Sequence, residues 1–406
     1  MKPSKELENA NIAYANIVKL GPFYGEGDGQ APSFRVSSTP LMLPQHFRGI
    51  YTQLGQDIYR LAQVLPKLPD QYTSLIGEDW SPKIPFLWRL DTIIDNENKI
   101  NVNEVQISDG VDGLITGLQL AYGLNPLDQS PAGHVADYLA ARYQNKSDPP
   151  KIAFIRHDLS DSPYSSNAKR MHEFLAEASG ERVNFTLMDR RQLQTTDWDM
   201  FDGVINYAFI RSKDLLESGI DAEKILCVGD ACYMGSKGVF ALLHDPELNE
   251  FWQSQLEPAV LQRLKNHLIN SALVQNGDDI SKARRDGKVV KVYNTGRLSM
   301  IGDGRGVFGP WDTADETWQQ VYSSFDNGSK LLTQDFVRPK KHSILLRNRD
   351  GSGLEKVEWY ATATAKYVVV SPGGNDVALT GFEARLGESE NPAREGSCLT
   401  TVDFIA

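Results

Sequence analysis

Cysteine is scarce in this chain. Three thiols, Cys227, Cys232 and Cys398, among 406 residues are too few and too oddly numbered for a disulfide framework. Their one Cys-x4-Cys spacing does not match a zinc site, so they are expected to be small buried hydrophobes in a reducing compartment. Long apolar runs are missing as well. No stretch reaches the ~20 apolar residues that a membrane helix needs. The first residues carry Lys2, Lys5, Glu6 and Glu8 and read as neither a secretory signal nor an anchor. A cytoplasmic protein that does not engage membrane is the expectation. An excess of basic residues is absent too. Fifty-three acidic against 42 basic residues give a net charge of -11, which repels nucleic-acid phosphates over most of the surface. The seven histidines, at positions 46, 134, 157, 172, 244, 267 and 342, form no ligand pairs, and neither a Gly-x-Ser-x-Gly elbow nor a His-Glu-x-x-His helix occurs. What is present is ordinary folded composition, 41% hydrophobic and 23% charged. The length exceeds what a single core supports, so two or three packed units are expected.

Hydrophobic period sets out those units. Residues 43–66 place Phe47, Ile50, Leu54, Ile58, Leu61 and Val64 on one helical face, ended by Pro66. Two strands, 86–94 and 99–105, flank a polar turn at Asp95, Asn96, Glu97 and Asn98 and read as a hairpin. A helix over 113–122 follows, and Pro126, Pro131, Pro149 and Pro150 punctuate a boundary. Residues 151–240 then alternate strand and helix, the pattern of βαβ units and a parallel sheet. Beyond Gly235 come helices over 238–243 and 256–273, and strands over 288–293, 331–337, 342–347, 357–363 and 365–370. The fold class is therefore α/β with α+β pieces, in units of 1–140, 151–234 and 235–406. The arm over residues 1–40 has no evident role.

Four constellations can carry chemistry. In the hairpin, Arg89 and Asp91 share one strand face, and Glu104 and Gln106 share one on its neighbour. If the register joins those faces, a guanidinium meets two carboxylates, a set suited to magnesium and a transferring phosphoryl group. The bland alternative is a solvated face of weak cross-strand ion pairs. The stretch IGDGRGVFGPW, 301–311, holds glycines at 302, 304, 306 and 309 after a strand carrying Lys291. Such a loop can bring backbone amides against phosphate oxygens or can be a plain glycine turn. The strand LLTQDFV interrupts its apolar run with Gln334 and Asp335, suited to an adenine edge or to nothing more than a strand end. In ACYMGSKGVFALL, Ser236 can cap a helix, and Lys237 sits at its positive end, where a cation needs a nearby anion. A fifth feature is the loop after the strand KIAFIR. Arg156, His157, Asp158, Ser160 and Ser165 stand there at a carboxyl strand end, where open α/β sheets bind ligands. It can equally be a polar surface loop.

Taken in order, these pieces resemble the circularly permuted ATP-grasp ligases, most closely the synthetase domain of the glutathionylspermidine synthetase family. The matching stretches are WRLD, NEVQ, GSKGVFALL, VVKVYN, GDGRGVFG and TQDFV. Two departures stand out: Gln106 in place of an Asn ligand, and Asp335 in place of a Glu. The resemblance implies a circularly permuted ATP-grasp fold with an inserted parallel-sheet (pre-ATP-grasp) substrate domain. It implies ATP and Mg2+ as cofactors and an ATP-dependent ligase forming an amide bond through an acyl phosphate. The partners implied are a small-molecule carboxylate, such as an amino acid or short peptide, and an amine. By the same resemblance Arg89 is catalytic, and Asp91, Glu104 and Gln106 are metal ligands. Lys237, Lys291, Gly302, Asp303, Gly304, Arg305, Gly306, Gln334 and Asp335 hold the nucleotide, and Arg385 joins Arg156, Asp158 and Ser160 near the organic substrates. The competing readings are a non-catalytic ATP-binding scaffold of the same fold and a small-ligand-binding α/β protein.

Overall fold

A computed structural model of the chain describes residues 5–19, 35–76, 84–107, 112–156, 163–207, 210, 212–227, 233–293, 306–348, 352–390 and 398–405. The chain begins with helix α1 (Lys5–Lys19), short strands β1 (Arg35–Val36) and β2 (Leu41–Pro44), and helices α2 (His46–Val64) and α3 (Asp70–Ile76). The expected hairpin is β3 (Leu87–Ile94) with β4 (Ile100–Gln106). Its turn forms because the Asp95 carboxylate accepts the backbone N–H groups of Glu97 and Lys99, while Asn98 takes a left-handed φ of 63° that its short polar side chain tolerates.

Helices α4 (Asp112–Ala121) and α5 (Pro131–Arg142) follow, and the second corrects the sequence reading. The stretch taken as punctuation holds a helix, because Ser130 caps it by accepting the Gly133 N–H at 3.4 Å. Pro131 opens the first turn, a position that needs no N–H donor. The next unit is as expected, with one strand added: β5 (Lys151–Arg156), α6 (Pro163–Ser179), β6 (Asn184–Asp189), β7 (Gly203–Asn206), α7 (Ser212–Glu217) and β8 (Ile225–Cys227). They form a parallel sheet in the order β6-β5-β7-β8.

Helices α8 (Gly238–His244), α9 (Asn249–Gln255) and α10 (Pro258–His267) lead into a four-stranded antiparallel sheet. It consists of β9 (Ser271–Leu273), β10 (Val289–Tyr293), β11 (Val307–Phe308) and β12 (Lys330–Gln334) in the order β11-β10-β12-β9, with helices α11 (Gly277–Arg285) and α12 (Asp315–Asp326) between its strands. The helix expected over 256–273 stops at His267, because Ser271–Leu273 pairs with β12 instead. The chain closes with β13 (Lys341–Arg347), β14 (Leu354–Val369), β15 (Val377–Gly387), β16 (Cys398–Thr400) and β17 (Val402–Ile405). The two strands expected over 357–370 are the single strand β14. Its first half pairs with β13 and its second with β3, while β15 runs along its other edge.

These strands build a seven-stranded sheet in the order β1-β16-β15-β14-β3-β4, with β13 beside β14. One face is apolar. Trp88 stacks between Tyr59 and Tyr367 at ring-centroid distances of 5.7 and 5.8 Å. Gly55 lets α2 approach, since a Cβ there would lie 2.4 Å from the Tyr367 ring. The other face is polar over β4, β3, β14 and β15, and α4 covers it in part, with the Gln119 side chain donating to the Thr380 carbonyl. The N-terminal arm gains a role here. Ile17 of α1 packs with Leu114, Leu118 and Leu399, and Arg347 lies 3.8 Å over the Tyr14 ring. Cys398 is a buried free thiol, while Cys232 lies outside the described residues. No helix among the described residues is long and apolar enough to cross a membrane.

Candidate functional site

The hairpin register joins the two faces. Arg89 pairs with Gln106 and Asp91 with Glu104, and all four side chains project from the polar face because alternate strand residues share a side. Arg89, 6% exposed, bridges its neighbours. Its Nε lies 3.3 Å from an Asp91 carboxylate oxygen, and its guanidinium donates to the Gln106 amide oxygen. Gln106 is thereby engaged by arginine rather than presenting a free oxygen. The register places Thr364 beside Asp91 on the far side, and its hydroxyl donates to Asp91 at 2.9 Å.

The lysines arrive from elsewhere in the chain. Lys237 immediately precedes α8, and its ammonium sits 3.0 Å from the Glu104 carboxylate. Here is the anion that a cation at the positive end of a helix requires. Ser236 Oγ accepts the Gly238 N–H and donates to the Ile76 carbonyl. Position 238 has to be glycine, since a Cβ would come 2.8 Å from the Leu75 carbonyl oxygen. Lys291, 3% exposed on β10, spans the gap between the four-stranded antiparallel sheet and the seven-stranded sheet, its ammonium donating to the Asn103 side-chain oxygen at 2.6 Å and to the Asn103 carbonyl at 3.2 Å. The sheets are also joined by the Ile269 N–H donating to the Val102 carbonyl.

Burial and neighbouring charge shape the ionisation of this cluster. Burial alone would push the Glu104 carboxyl up, but the ammonium groups of Lys237 and Lys291, with Arg89, outweigh it and hold the group below its usual value. Burial pushes the Lys291 ammonium down to about 8; Glu104 and Asp91 oppose that shift, and Lys237 adds to it. The result is a Glu104 carboxylate held in its charged form beside a lysine whose charge is costly without an anion.

Several residues of this face went unsignalled in the sequence reading. Lys366, which pairs with Arg89 across β14, is 1% exposed, and its ammonium lies 2.5 Å from Asp112, equally buried at the start of α4. The other Asp112 carboxylate oxygen accepts the Tyr207 hydroxyl, so this ion pair ties the seven-stranded sheet to the end of β7. Glu383, paired with Thr364, is fully buried and takes the Arg385 Nε at 2.6 Å. The signal available was the alternation Thr362, Thr364, Lys366 and Glu383, Arg385, which sets polar residues on one face of otherwise apolar strands.

The remaining candidates are more scattered. Gln334, buried at the end of β12, donates to the Ser271 hydroxyl at 3.2 Å. The Asp335 carboxylate is held by Lys288 at 2.8 Å and by the Asn270 side chain at 3.1 Å. Gly306 has a φ of 83° and anchors the end of the glycine stretch beside β10, its carbonyl accepting the Val292 N–H. Gly302, Asp303, Gly304 and Arg305 lie outside the described residues, as do His157, Asp158 and Ser160. Arg156 ends β5 in register with Asp189, in the parallel-sheet unit rather than on the polar face. Among the described residues, no group of three or more His, Cys, Asp or Glu side chains could hold a metal ion. Asp91 and Glu104 nonetheless fit magnesium, which takes one or two carboxylates and completes its shell with phosphate oxygens and water.

No protein-family model matches the chain, and no curated protein sequence matches it. Solved structures do. A glutathione synthetase-like effector from Globodera pallida, in its apo form, superposes with a TM-score of 0.62 at 11% identity, covering 100% of this chain and 98% of its own. A protein described as a candidate γ-glutamylcysteine synthetase from Methylobacillus flagellatus aligns over 84% of this chain and 83% of its own, at 13% identity and a TM-score of 0.44. The first comparison shows the fold alone: a mixed α/β chain with the architecture of that effector. Neither description mentions glutathionylspermidine.

Proposed function

We propose that the chain is an ATP-dependent ligase that joins a carboxylate to an amine through an acyl phosphate, on a circularly permuted ATP-grasp fold with the parallel-sheet unit inserted. The observation that carries this reading is the convergence of Asp91, Glu104 and Arg89 from one sheet with Lys237 and Lys291 from outside it. Five charges of both signs in one partly buried cluster are expensive unless a polyanion and its counter-ion complete them. The likeness in fold to a protein named for glutathione synthetase supports the same reading.

In this mechanism Asp91 and Glu104 hold Mg2+, which when bound neutralises phosphate charge as it builds up. Lys291 and Lys237 grip the nucleotide phosphates, and nucleotide entry draws Lys237 away from Glu104. Arg89 steadies the transferring phosphoryl group. The attacking carboxylate oxygen bonds to the γ-phosphorus as the bond to ADP breaks. The amine, giving up a proton, then forms its bond to the acyl carbon as the C–O bond to phosphate breaks. Most of the rate enhancement comes from positioning and charge neutralisation. Gln334 and Asp335 are placed at the adenine, and the 302–306 stretch over the phosphates. Arg156, with Asp158 and Ser160, and Arg385 belong to the organic substrates.

A screen of amino acids, short peptides and polyamines for ATP-dependent phosphate release, with mass detection of products, tests the proposal. Release coupled to an amide product supports it, and ATP hydrolysis without any joined product refutes it. A second reading rests on one specific contact. Because Arg89 takes the Gln106 oxygen, Asp91 and Glu104 would be left to hold the metal without Gln106, an arrangement suited to a scaffold that binds ATP without turnover. Tight ATP binding with no phosphate release under any substrate combination selects that reading.

A further inference from the structure

The polar face extends beyond the hairpin. Across four strands the register aligns Glu104, Asp91, Thr364 and Glu383 in one row. Neighbouring strands lie about 4.8 Å apart, so Glu383 stands roughly 10 Å from Asp91 along the row. Its side chain is fully buried. One carboxylate oxygen takes the Arg385 Nε at 2.6 Å, and the other has no hydrogen-bond partner among the described residues. A buried carboxylate oxygen left unpaired forfeits the charge-assisted bonds that normally offset its desolvation.

Resting on the ligase reading, we propose that Glu383 holds the ammonium group of the acceptor amine and takes the proton that the nitrogen gives up before its lone pair bonds to the acyl carbon, as the bond from that carbon to phosphate breaks. The separation suits this role. A phosphoryl group transferred over Asp91 and Arg89 lies one strand from Thr364 and two from Glu383, so an amine seated on Glu383 approaches the acyl carbon from the side opposite the nucleotide lysines. A positively charged group is the complementary ligand, because the free oxygen accepts N–H donors and Arg385 already occupies the other. A second magnesium ion is the poorer fit, since Arg385 already takes one Glu383 oxygen and, among the described residues, Glu383 lies in no group of three or more side chains placed to hold a metal.

The test separates acyl-phosphate formation from amine capture. Wild-type protein and Glu383→Gln are supplied with ATP, magnesium and a mixture of the common amino acids. Hydroxylamine at high concentration traps the acyl phosphate as a hydroxamate without needing a built amine site. Amide product is measured in parallel with the same amino acids and spermidine as acceptors. Glu383→Gln is expected to form hydroxamate within about twofold of wild type while amide formation falls about tenfold or more, the loss of one charge-assisted bond. Glu383→Asp, which keeps the charge, is expected to recover part of the amide yield and serves in its place if the glutamine variant does not fold. Unchanged amide formation in the folded variants overturns the assignment, and so does an equal loss of hydroxamate and amide. Absence of hydroxamate from the wild-type protein instead overturns the ligase reading on which the assignment rests.

Discussion

Replacing Lys366 by Met probes the buried pair that underlies the polar face. The Lys366 and Asp112 side chains are each 1% exposed and 2.5 Å apart, so the substitution leaves a carboxylate in the interior with, among the described residues, only the Tyr207 hydroxyl as partner. Two unit charges about 4 Å apart at an effective dielectric constant near 20 attract by about 4 kcal/mol. Breaking a buried pair from one side typically costs about 3–5 kcal/mol. Asp112→Asn should cost at least as much, because it leaves the ammonium uncompensated next to Arg89, its cross-strand neighbour. The double replacement Lys366→Met with Asp112→Asn removes both charges and should recover at least half of the loss, since methionine fills much of the volume and asparagine can still accept from Tyr207. Equilibrium urea unfolding is the assay. With a slope of about 3 kcal/mol/M, each single variant should shift the midpoint by about 1 M or more. Single-variant losses below about 1 kcal/mol, or a double variant whose loss equals the sum of the two, would refute the reasoning, because either result means that the charges do not compensate each other.

Three further predictions concern the cluster itself. Arg89→Ala should leave ATP affinity nearly intact and lower turnover by about 10² or more, since its charge is needed most in the transition state; an effect on KM alone argues against that role. Gln106→Asn shortens the arm that Arg89 holds and should change the magnesium dependence of turnover if residue 106 is a ligand, whereas an unaltered magnesium titration removes it from the site. Lys291 titrates near 8 in the folded chain against an ordinary value of 10.5. Its charge therefore favours phosphate binding fully below pH 8, and ATP affinity should fall as pH rises from 8 to 9. Between those two pKa values the unfolded chain binds a proton that the folded chain does not, so this group adds stability as pH climbs through the window. Nucleotide titrations of Lys291→Arg, which stays charged, should lose the pH-dependent fall; a slope retained in that variant assigns it to another group.

The sequence by itself determined the local elements and the chemistry they offer. Apolar residues at helical spacing from Phe47 to Val64 fixed α2, and two alternating runs with a polar turn between them fixed the β3–β4 hairpin, because period and turn chemistry are properties of neighbouring residues. The same alternation put Arg89 with Asp91 and Glu104 with Gln106, and the isolated lysine ahead of α8 signalled a missing anion. Short-range signals failed where they were ambiguous. Ser130 and Pro131 mark a loop and a helix start equally well, and nothing within 256–273 announces that Ser271–Leu273 will pair with a strand some sixty residues later. Tertiary structure alone decided the rest. It chose the one register of two that sets Asp91 against Glu104, it brought Lys237 and Lys291 to that pair from far along the chain, and it aligned Lys366 and Glu383 with the hairpin through β14. A lone buried lysine in an apolar strand carries no partner in its own neighbourhood. The partner of Lys366 is Asp112, more than two hundred and fifty residues earlier in the chain, and only the packed sheet sets that meeting, whereas Glu383 finds Arg385 two residues along its own strand.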